Sequence, residues 1–138
     1  MRIMITAAVA WFIAQALKMI LSFAENKKID WELATASGGM PSSHTAFVVS
    51  ASTMIGKSEG FESAIFALSA VLALIVMYDA MHVRRAVGNI GQTLNQMINR
   101  FNKTGKLDIE NVKEILGHSP LQVAAGFVLG VAVGMLML

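Results

Sequence analysis

Three histidines, two adjacent arginines, a lysine within one apolar stretch and an aspartate closing another are the side chains of this 138-residue chain that could do chemistry. The run Gly38-Gly39-Met40-Pro41-Ser42-Ser43-His44 describes an anion site. A helix N-terminus carries unpaired backbone N–H groups and about half a positive charge, and glycine lets a phosphate approach the backbone closely. Ser42 and Ser43 add hydroxyl donors, Arg84 or Arg85 offers a bidentate fork for phosphate oxygens, and Lys18 offers a point charge. His44 and His118 are the pair that phosphoryl transfer uses, one imidazole attacking phosphorus and the other protonating the leaving oxygen. Asp79 could pair with either arginine or hydrogen-bond an imidazole. Asp79 and His82 supply two metal ligands with no clear third, so neither a metal nor a cofactor is expected. With no cysteine in the chain, disulfides and thiolate nucleophiles are excluded.

The elements that must position these groups belong to a membrane. Residues are 55% hydrophobic and only 14% charged, with a mean hydropathy of +0.60, whereas a soluble domain has roughly a quarter of its residues charged. A net charge of +2 without a compact basic stripe argues against nucleic acid as a partner. A spanning helix needs about 20 mostly apolar residues. Segment 3–24 carries only Lys18, segment 61–79 has Glu62 at its start and Asp79 at its end, and segment 120–138 has no charge. A fourth segment, 41–56, starts at the helix-favouring Pro41 after the glycine pair and is short for a span, so it is tilted, shielded by neighbours or only partly inserted. The first run is longer than a signal core and lacks a clear cleavage site, so it is expected to be retained.

Residues 81–119 form the one long polar stretch. Val83, Val87, Ile90, Leu94, Met97 and Phe101 fall on one face of a helix, and Asp108 is placed to cap a second, shorter one with Ile109, Val112, Ile115 and Leu116. The expected fold is therefore all-α: a multi-pass helical bundle of about four transmembrane helices plus an amphipathic hairpin lying on the membrane or on the bundle. With four spans, Lys27, Lys28, Arg84, Arg85, Arg100, Lys103, Lys106 and Lys113 share one side and Arg2 and Lys57 the other, which puts the hairpin in the cytoplasm beneath the cell membrane. Lys18, the Gly-Ser turn, Asp79, the arginines and His118 then meet at that same face. Gly126, Gly130 and Gly134 repeat every four residues in the last apolar segment, a stripe that lets helices pack closely against the first helix or against a second copy in a homo-oligomer.

Pro41-Ser42-Ser43-His44 resembles the Pro-Ser-Gly-His motif of the type 2 phosphatidic acid phosphatase superfamily, which includes vanadium-dependent haloperoxidases. The stretch from Gly117-His118-Ser119 to Gly126 resembles its last motif. Together with Tyr78-Asp79-Ala80 and Val83-Arg84-Arg85, the pattern is similar to a divergent branch of small membrane proteins and covers nearly the whole chain. The resemblance implies that Ser42, Ser43 and nearby backbone amides hold phosphate, that His44 is a general acid and that His118 is a nucleophile. It further implies that Lys18 and Arg84 or Arg85 are phosphate ligands. Three departures stand out: Glu25 occupies the place of a first-motif arginine, about thirty residues separate Arg85 from His118, and Gln122 replaces the acid that orients the nucleophile.

Two readings follow. One is a phosphoric monoester hydrolase acting on a lipid or isoprenoid phosphate through a phosphohistidine, with Asp79 available for the missing orienting acid. The alternative is a catalytically degenerate membrane protein that binds phosphate or lipid headgroups without turnover. A purely structural protein would explain the glycines but not the histidines and arginines beside them.

Overall fold

The structure, a computed structural model, describes residues 1–27, 39–103 and 117–137. Among them there are five helices and no strand: α1 (Arg2–Asn26), α2 (Ser43–Glu59), α3 (Ala64–Met81), α4 (Val83–Lys103) and α5 (Pro120–Leu136). This is an all-helical membrane bundle. Arg2–Ala24 and Ala64–Lys103 are long and apolar enough to cross a bilayer, and α5 is a shorter apolar helix.

The helix termini follow local chemistry. Ser42, Ser63 and Ser119 are N-caps whose hydroxyls accept from Thr45, Phe66 and Gln122 N–H groups. In α5 the Gln122 side chain reaches back to the cap and Pro120 sits in the first turn, completing a capping box. At the far end, Lys57 Nζ donates to the carbonyls of Met135 and Met137, both at 2.9 Å, capping α5 from α2. The second apolar segment differs from its expected bounds. It starts at Ser43 because Ser42, not Pro41, caps it, and it runs past Gly56 to Glu59. Gly56 serves packing instead: a Cβ there would meet the Phe61 ring at 2.5 Å, so the glycine admits the chain folding back into α3. The stop signal is Gly60, at φ 93°.

The helix richest in hydroxyl side chains sits in the middle. α2 packs against α1, α3 and α5, burying Ser43, Thr45, Ser50, Ser52 and Thr53 with Ala46, Val49 and Met54. Its hydroxyls are satisfied within the protein: Ser50 donates to Phe47 O, Thr53 to Val49 O, and Ser52 shares a 2.9 Å hydrogen bond with Ser69 of α3. Shielding by neighbours is thus how a 17-residue, hydroxyl-rich helix is accommodated. Its other neighbour is the glycine stripe of α5. A Cβ at Gly126 would fall 2.5 Å from Ser42 O, at Gly130 2.8 Å from Val49 Cβ, and at Gly134 2.6 Å from Thr53 Cβ. These glycines therefore face α2 of the same chain, not the first helix or a second copy. The stretch from Thr104 to Leu116, which holds the expected second helix of the hairpin, lies outside the described residues.

Candidate functional site

Four backbone features bring the site together. The Ser42 N–H donates to Gln122 O at 3.0 Å, tying the start of α2 to the first turn of α5. The His118 N–H donates to Ala80 O at 3.0 Å, tying the segment before α5 to the last turn of α3. Gly117 lies so close on the backbone of Arg85 that a side chain there would collide with it. Gly39 adopts φ 90° and rests on the aliphatic stem of Lys18, whose Cγ and Cδ would be 3.0 Å from a Cβ at that position.

His118 is fully buried, with 0% of its surface exposed. Gln122 Oε1 accepts from the Ser119 N–H at 3.0 Å and lies 3.2 Å from His118 Nδ1. A carbonyl oxygen can only accept, so this geometry selects the imidazole tautomer with a proton on Nδ1 and leaves the Nε2 lone pair free. That Nε2 is buried and has no hydrogen-bond partner, as is His44 Nδ1. Buried polar atoms are normally paired, and two unpaired ring nitrogens in one region indicate a place for a polar ligand.

The remaining groups sort themselves around this pair. Ser42 and Ser43 are buried at the start of α2, and Ser42 Oγ accepts from Thr45 Oγ1 at 3.0 Å, which leaves its own hydrogen available to donate. Lys18 is buried, with 1% exposed. Asp79 does not reach the nucleophile position; its Oδ2 accepts from Arg84 Nε at 3.3 Å across the helix break at His82. Of the two arginines, Arg84 lines the cavity described below, while Arg85 is exposed and outside its lining. His82 is exposed and stacks on Tyr78, ring centroids 4.2 Å apart. No cluster of three or more His, Cys, Asp or Glu suited to a metal occurs among the described residues.

His44, Asp79 and Arg84 also line a cavity of about 690 Å³ that sequence reasoning missed, whereas His118, Lys18, Ser42 and Ser43 are not part of its lining. α1 and α3 both pack on α2 but do not touch one another. The gap between them is walled by Ala8, Trp11, Phe12, Phe47, Val48, Ile75 and Val76, and its polar end is made by His44, Asp79 and Arg84. Phe12 and Ile75 stay 66% and 60% exposed, so the cavity opens sideways onto the apolar flank of the bundle. The available signal was helical spacing: Ala8, Trp11 and Phe12 share one face of α1.

Burial, the largest cause, pushes the pKa of His118 below its ordinary 6.5; the Gln122 hydrogen bond opposes this, and the charges of Lys18, His44 and Arg84 reinforce it. The imidazole is therefore neutral at neutral pH. Because the unfolded chain binds the extra proton first, stability falls as pH drops below about 6.5 through the lower folded value. Exchange of Gln122 for glutamate places a carboxylate against Nδ1–H, favours the imidazolium, and is expected to move the acidic limb of any His118-dependent rate upward in pH. A Gln122→Met variant has no acceptor and loses the tautomer preference. An unchanged pH profile in Gln122→Glu would show that this contact does not govern the ring.

The sequence pattern of the family described as "Divergent PAP2 family" matches residues 1–133. The chain is similar to the uncharacterized membrane protein YuiD of Bacillus subtilis (strain 168), at 35% identity over 139 aligned positions covering 93% of this chain and 88% of that protein. No solved structure matches. Nearly the whole chain is covered by both similarities, and the chain belongs to the divergent PAP2 family.

Proposed function

We propose that this protein is a membrane-embedded phosphatase that hydrolyses the phosphate monoester of a lipid or isoprenoid through a phosphohistidine. The observation that carries the reading is the buried, unpaired Nε2 of His118, held in its nucleophilic tautomer by Gln122. Nε2 attacks phosphorus, the bond to the leaving oxygen breaks with its electrons on that oxygen, and His44 supplies the proton. Water then attacks the phosphohistidine, His44 takes its proton, and the P–N electron pair returns to Nε2 as inorganic phosphate leaves. Arg84, Lys18, Ser42, Ser43 and the backbone near Gly39 hold the phosphoryl oxygens in this scheme, with Asp79 orienting Arg84. The sideways-opening apolar cavity supports a substrate whose hydrocarbon part lies among the lipids. The excess of Lys and Arg in the polar stretches supports a cytoplasmic site.

The neutral Gln122 favours a second reading, a headgroup-binding protein without turnover, because an amide stabilises a developing imidazolium less than a carboxylate does. Turnover separates the two. Protein purified in detergent should release phosphate from phosphatidic acid or an isoprenyl phosphate faster than from a short soluble ester. Binding of vanadate without release from any of them would reject the hydrolase and leave the binder.

A further inference from the structure

Among the described residues, the apolar stripe of α4 stays exposed. Among the described helices, α4 touches α3 alone, and Val83, Val87, Ile90, Leu94, Met97 and Phe101 are all exposed, between 42% and 67%. Of the residues that α4 does bury, Gly88 and Asn95 lie off that stripe and Ile98 borders it, one turn from Leu94. Between 83 and 103 there is no acidic residue but four basic ones; Arg84 is paired to Asp79, while Arg85, Arg100 and Lys103 are exposed. The helix follows directly on the apolar α3, with the axis interrupted only at His82, so it starts where the span ends.

We propose that α4 lies in the interface of an anionic leaflet, its apolar stripe among the acyl chains and Arg85, Arg100 and Lys103 among acidic headgroups. Two forces act together: exposed apolar area entering the acyl boundary, and attraction of an acid-free basic helix to acidic lipid. Among the described residues, α4 packs on α3 and leaves the stripe exposed. The inference stands apart from the hydrolase reading, since it uses neither histidine.

The chain contains no cysteine, so single labelling sites can be introduced without background. Full-length Ile90→Cys, Leu94→Cys, Gln92→Cys and Gln96→Cys variants, spin-labelled, are reconstituted in phosphatidylcholine vesicles with and without phosphatidylglycerol. Labels at 90 and 94 should be reached by oxygen in preference to a water-soluble nickel complex, and labels at 92 and 96 the reverse. The contrast should sharpen with phosphatidylglycerol, and Arg100→Gln with Lys103→Gln should remove that dependence. Equal nickel access at all four sites would overturn the proposal. So would sites 90 and 94 shielded from both reagents, which would mean protein covers the stripe; dipolar broadening there would identify that cover as a second copy.

Discussion

Replacing His118 with alanine is expected to reduce release of phosphate from a lipid phosphate at least about a thousandfold, the scale on which removal of a covalent nucleophile acts. The ring is the one fully buried imidazole of the site, its Nδ1 committed to Gln122 and its Nε2 unpaired. The backbone bond from His118 N–H to Ala80 O does not depend on the side chain, so the anchoring of this segment to α3 survives. Vanadate binding through Arg84 and the start of α2 should therefore persist, weakened but measurable, in the variant. Rapid quenching of wild type with radiolabelled substrate should trap a phosphoenzyme that resists alkali and is lost in acid, as a phosphorus–nitrogen bond is, and the alanine variant should trap none. Near-normal release from His118→Ala would remove this residue from the mechanism.

Gly126→Val tests the other half of the geometry, the register between α2 and α5. A Cβ at this position would stand 2.5 Å from Ser42 O and 3.0 Å from Thr45 Cβ. Backbone, not a flexible side-chain tip, is what must move. The Ser42 N–H to Gln122 O bond lies one turn away, so the displacement carries Ser42, Ser43 and His44 away from His118. Overpacking of this kind costs about 1–3 kcal/mol, which should appear as a lower unfolding midpoint in detergent. Activity should fall by at least tenfold beyond what lost folding explains, because misplacement by an ångström can cost a hundredfold. Gly134→Ala makes the matched control: it crowds Thr53 and Ser50 O at the opposite end of the same seam, and should lower the midpoint while sparing activity. If Gly126→Val bound vanadate and turned over like wild type, the seam would not be what aligns the two histidines.

The polar residues that the proposal uses stand out in the sequence, but the way they pair does not. Arg84 and Arg85 are neighbours in the chain and equivalent on paper. The helix break at His82 sets the phase of α4, which turns Arg84 into the cavity with Asp79 and leaves Arg85 exposed. Asp79 looked free to replace the missing orienting acid; it pairs with Arg84 instead, and the atom beside His118 Nδ1 is the amide oxygen of Gln122. The glycine stripe announced a close helix contact, yet only the packing shows that α2 fills it.

What the amino-acid sequence determined by itself is whatever depends on near neighbours along the chain. Hydropathy over about 20 residues marks spanning helices, serines and a proline set where helices begin, and a spacing of three and four defines the apolar stripe of α4. Tertiary structure decided what depends on residues far apart in the chain meeting at ångström distances. Those are the gap left where α1 and α3 fail to touch, the hydroxyl-rich α2 buried at the centre, and His118 delivered to α3 by a bond to Ala80. The reason is physical: caps and hydrophobic periods are local free energies, whereas a cavity and a fixed tautomer exist only once several backbones have closed around them.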